Sequence, residues 1–98
     1  MAMTEEKYFI RVSMKVQSAF IEIARFSLGA NEIYVIDLFH ELEGDFVDVA
    51  HYPLRIELIK EHAMRYTMIA CLGCSLTEFL NNSKKIIKET FRIMNLSV

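Results

Sequence analysis

The sequence predicts an all-α protein, a compact four-helix bundle-like single domain spanning residues 1–98. Two observations carry that expectation. Each of the three glycines is followed within two residues by a good helix N-cap, Gly29 by Asn31, Gly44 by Asp45 and Gly73 by Ser75. Helix ends need both features, because their terminal C=O and N–H groups lack intrahelical partners. Between these breaks, apolar residues recur at helical spacing. The competing fold is α+β, with short strands near 9–16 and 65–72.

The first helix is expected over 5–28. Ile10, Val12, Met14 and Val16 alternate with polar residues as in a strand. At 100° per residue, however, Lys7, Arg11, Lys15, Ser18, Glu22 and Arg25 share a stripe about 80° wide, opposite Phe9, Val12, Val16, Phe20 and Ile23. Thr4 as cap, with Glu5 and Glu6 in the first turn, suits the helix dipole. The second helix is expected over 32–43, with Val35, Leu38, Phe39 and Leu42 inward and Asp37 and Glu41 outward. Residues 45–53 read equally as one helical turn or a short strand before Pro53, the single proline.

The third helix is expected over 54–72. It is apolar on two sides, Ile56, Ile59, Ala63, Tyr66 and Ala70 on one and Leu54, Leu58, Met68, Ile69 and Leu72 on the other, as a central helix would be. The fourth, over 76–95, opens with the capping box Ser75-Leu-Thr-Glu78, the strongest local signal in the chain. Leu76, Phe79, Leu80, Ile86, Ile87, Phe91 and Met94 form its apolar face. No internal repeat is visible.

Composition narrows the class. The hydrophobic fraction is 53%, more than a small monomer hides easily, so some apolar surface is expected to be buried between two copies. No apolar run reaches the ~18–20 residues of a membrane span, and Met1 to Glu6 lacks the basic start of a secretory signal. Two cysteines are too few for a disulfide scaffold, which fits a reducing cytoplasm. Net charge is −2, but residues 30–62 hold eight acids against Arg55 and Lys60, while the flanking segments are basic. Such polarity can orient a second copy.

Four features could carry chemistry. Cys71 and Cys74, just before the capped helix, could form a redox dithiol whose thiolate meets a helix dipole; packing as small buried hydrophobes is the favoured reading. His40, His51 and His62 recur every eleven residues, and Asp37 and Asp48 each stand three before a histidine, as in chelating pairs. Gly44 and Pro53 interrupt any common helix, so solvated polar positions are favoured over a metal site. Lys84, Lys85, Lys88 and Arg92, with Lys7, Arg11, Lys15 and Arg25, could form a cationic surface, but a pI of about 5.9 and the absence of a recognised signature disfavour nucleic acid. Gly29-Ala30-Asn31 resembles a helix-turn-helix turn, yet the helix after it is acidic.

No phosphate loop, nucleophile elbow or zinc-protease motif is present. No cofactor, metal or catalytic residue is therefore expected. The expected role is that of a small cytoplasmic protein-interaction module, acting through a helical surface as a homodimer. The alternative is a dithiol or metal-dependent enzyme using Cys71 and Cys74 or the His40 and His51 region.

Overall fold

A computed structural model, which describes residues 5–94, shows β1 (Lys7–Val16), β2 (Ala19–Ser27), α1 (Glu32–His40), β3 (Leu54–His62), β4 (Arg65–Cys74) and α2 (Leu76–Ile93). The protein is thus α+β, not an all-α helical bundle. Two of the expected helices stand, as α1 and α2. The other two, over 5–28 and 54–72, are β-hairpins, and the strands of the competing α+β reading occur where it placed them. Thr4, the expected cap of the first helix, lies outside the described residues.

Two local devices conceal the hairpins from a periodicity argument. Each reverses direction in two residues without glycine. Gln17 has φ 59°, and Ala63 and Met64 have φ 51° and 67°, the left-handed conformations that tight hairpin turns require and that Asn-Gly usually signals. Each hairpin also contains a β-bulge: register slips between Val12 and Ser13, leaving Ile23 without an opposite, and between Leu58 and Ile59, leaving Ile69 so. A bulge shifts the two-residue alternation by one. Strand residues on either side of it then fall on one side of a helical wheel.

The strands form one antiparallel sheet of order β2-β1-β3-β4. The chain is two consecutive ββα units joined through the central β1–β3 pair. Ile23 and Ile69 are equivalent, 46 positions apart, and each follows the fourth residue of its strand. Applying the same offset makes Arg11 equivalent to Glu57, and these two are also cross-strand partners. A local two-fold axis, normal to the sheet, therefore passes between them. The repeat is hidden in the sequence because its equivalent positions carry different chemistry.

Both helices cover one sheet face. Ile10, Val12, Leu54, Ile56, Leu58 and Leu72 point from the strands into a core completed by Val35, Leu38 and Phe39 from α1 and Ile86 from α2. α1 and α2 are tied to each other by a Tyr34–Glu89 hydrogen bond. Burial first, and then the neighbouring Glu89 carboxylate, push the Tyr34 hydroxyl up to about 12.

Residues 45–53 are neither the helical turn nor the strand expected. Asp45 makes a single backbone bridge to Gly73 at the edge of the sheet. Its carboxylate accepts the N–H groups of Val47 and Asp48 at 2.8 and 2.9 Å, and these bonds hold it below the usual carboxylate range.

The capping box is present in full. Glu78 N–H donates to Ser75 Oγ at 3.2 Å, and Ser75 N–H donates to Glu78 Oε1 at 2.9 Å. Ser75→Ala is expected to lose about 0.5–2 kcal/mol of stability, measured by thermal melts. An unchanged midpoint would show that the box is dispensable.

Candidate functional site on the open face of the sheet

The helices leave the opposite sheet face open, and cross-strand pairing arranges it in rows. The middle row runs Arg25–Arg11–Glu57–Cys71 across β2, β1, β3 and β4. Arg11 Nε donates to Glu57 Oε1 at 2.8 Å, and this bond, ahead of the opposing effect of burial, raises the Arg11 pKa. The carboxylate is nearly buried although it stands on an uncovered sheet, because long side chains lie across the face and shield it.

The local two-fold axis relates the rows on either side, and they differ completely. One is Ser27–Phe9–Ile59–Met68, an apolar row in which Phe9 and Ile59 are buried and Tyr66 packs edge-on to Phe9 with ring centroids 6.0 Å apart. The equivalent row is Glu22–Ser13–Arg55–Gly73. Here the guanidinium of Arg55 lies over the Phe20 ring, 3.8 Å from its centroid, in the position that Phe9 takes beside Tyr66. Ser13 stands where the other half has Ile59. Beside Ser13 lies a cavity of about 240 Å³ lined by Arg11, Ser13, Phe20, Glu22, Arg55 and Glu57.

Sequence reasoning missed this cluster, because it placed Arg11, Glu22 and Arg25 on the water-facing side of a helix. The alternation through Arg11, Ser13 and Lys15 was the signal that could have found it.

The structure separates the other candidate residues. Cys71 and Cys74 both lie on β4, three positions apart, so Cys71 points to the open face and Cys74 into the core. Strand rise puts their Cα atoms about 10 Å apart, beyond the ~7 Å limit for a disulfide. Burial raises both thiols, Cys74 to about 11, opposite to the shift a reactive thiolate needs. In the native protein a thiol-reactive dye is expected to label Cys71 only, and Cys74 after unfolding. Rapid labelling of both, or oxidation to an internal disulfide, would contradict the geometry.

His40 ends α1 beside Phe46, His51 pairs with Asp48 at 2.5 Å in the exposed loop, and His62 lies near Glu6. Among the described residues no three His, Cys, Asp or Glu side chains converge. The two basic clusters also fall apart: Arg11, Lys15 and Arg25 belong to the open face, and Lys84, Lys85, Lys88 and Arg92 to α2 on the other layer. Among the described residues no helix is long and apolar enough to cross a membrane.

Fold and site together define a two-layer α+β domain with one covered and one open sheet face. No family model, no curated protein and no solved structure matches the chain.

Proposed function

We propose that the protein is a small cytoplasmic protein-interaction module, a regulator, adaptor or inhibitor, that works as a homodimer through the outer side of α2. The observation carrying this reading is a second apolar stripe on that helix. Leu76, Leu80, Ile87 and Met94 are 62%, 53%, 41% and 57% exposed, while Ile86 is buried against the sheet. Leu80, Ile87 and Met94 recur every seven residues, the spacing that packs one helix along another.

The position of the stripe adds to the argument. Around the helix axis come first Asn82 and Lys85, bonded to Glu43 and Glu41 just after α1, and Glu89, bonded to Tyr34 of α1, then Ile86 and Ile93 toward the sheet, then the stripe. It therefore overlooks the end of the β1–β2 hairpin, where Met14, Val16, Ile21 and Ile23 are also exposed. Exposed apolar side chains on both elements are surface of the kind that interfaces cover.

A second copy supplies a matching occupant. It carries the same stripe, so a two-fold pairing lays α2 along the α2 of the other copy, with Lys84 and Lys88 at the rim of the contact. Two unpaired thiols accord with a reducing compartment.

Sedimentation equilibrium at micromolar concentration is expected to give about twice the 11.4 kDa chain mass. Leu80→Glu combined with Ile87→Glu should weaken association at least about 100-fold, or about 2.7 kcal/mol, without lowering helix content. A wild-type chain that stays monomeric at its solubility limit would overturn the homodimer.

A further inference from the structure

The open face holds a feature that a helix-mediated interface does not use. Its middle and charged rows contain three arginines and two glutamates, and both glutamates have partners: Glu57 with Arg11 at 2.8 Å and Glu22 with Arg25 at 3.0 Å. Arg55 is left over. Among the described residues it has no ion-pair partner, and its Nε is buried without a hydrogen-bond partner. An N–H held out of water with nothing to donate to costs free energy, and native structures leave few such groups unsatisfied.

The Arg55 guanidinium is also fixed in place by the Phe20 ring beneath it, so little side-chain freedom remains to be lost on binding. Beside it the small residue Ser13, 5% exposed, lines the 240 Å³ cavity at the position where the other half of the molecule has the larger, buried Ile59.

We propose that this cavity is a binding site for a small organic carboxylate, held by the Arg55 guanidinium with the Ser13 side chain as its floor. One unpaired cation matches one negative charge. Glu22 and Glu57 at the cavity wall repel a dianion, which disfavours phosphate. The volume admits one small molecule and falls short of the ~300–1,000 Å³ of drug-sized sites. The planar, two-pronged donor set of arginine suits a carboxylate, and the Phe20 edge offers an apolar contact to the rest of the acid.

The test is an NMR titration of the full chain with sodium benzoate at constant ionic strength, with benzamide and inorganic phosphate as the other probes. Benzoate should saturate in the millimolar range, shifting the Arg55 Nε–Hε signal and the Ser13 amide. Benzamide and phosphate should bind at least tenfold more weakly. Arg55→Gln should weaken benzoate at least tenfold. Ser13→Val, which removes the hydroxyl, narrows the cavity and leaves Arg55 in place, should do the same with the spectrum otherwise preserved. Failure of benzoate to saturate, equal binding of benzamide, tighter binding of phosphate, or wild-type affinity in either variant would each overturn the assignment.

Discussion

Gly44→Ala is expected to be the most destabilising single-methyl change in the chain, costing about 3 kcal/mol. Gly44 has φ +152°, and a Cβ built there would lie 2.6 Å from Gly73 O and 2.7 Å from Leu72 Cδ1. The first of these neighbours cannot give way, because Gly73 O accepts the Asp45 N–H at 2.8 Å in the bridge that ties the 41–53 connection to β4. Backbone strain of about 1–3 kcal/mol and overpacking of about 1–3 kcal/mol therefore combine. In a domain of this size about 3 kcal/mol corresponds to a fall in Tm of roughly 12–24 °C. Gly29→Ala is the control: φ is +79°, but the nearest atom outside its chain neighbours, Ile93 Cγ2, is at an ordinary 3.4 Å. Only the strain remains there, and the loss should be about 1 kcal/mol. Chemical denaturation of the two variants decides the matter, and equal losses would show that the contact with Gly73 is not what fixes Gly44.

Asn82→Ala is expected to cost about 2–3 kcal/mol. Asn82 is 1% exposed in the middle of α2, where an amide side chain is a poor helix former. Its Oδ1 accepts the Glu43 N–H and its Nδ2 donates to the Glu43 carbonyl, both at 2.7 Å. One side chain thus closes both backbone groups of a residue that no helix or strand can satisfy. Alanine leaves both without partners, at about 1–3 kcal/mol each when water cannot reach them. Asn82→Asp restores the acceptor but sets a carboxylate against the Glu43 carbonyl, so it should not rescue. Hydrogen exchange in Asn82→Ala should rise first over residues 41–46 and leave the β1–β3 pair protected. Global loss of protection at one rate would show that Asn82 supports the whole core rather than this connection.

Legibility in the sequence followed the range of the forces involved. The helix over 76–93 could be read because its start is fixed by a reciprocal cap four residues long, and α1 because four apolar side chains at helical spacing follow Asn31. The same reasoning failed over 5–28 and 54–72. Gln17, Ala63 and Met64 take left-handed conformations that cost energy for residues with a Cβ, and only the pairing of the flanking strands repays that cost. The carboxylate site could not be seen either, since Arg55 and Phe20 meet only once β1 is laid between their strands.

By itself, then, the sequence determined the two helices, the glycine breaks, the uneven charge and an excess of apolar surface. Each of these depends on neighbours within about four residues or on composition. Tertiary structure alone decided that the remaining apolar stretches pair as hairpins, that two ββα units share a local axis through Arg11 and Glu57, and that Arg55 is left without a carboxylate among the described residues. The physical reason is that a strand, unlike a helix, takes its hydrogen bonds from residues far along the chain. Its turns, bulges and register are therefore settled by the partner, and with them the open face on which the proposed site stands.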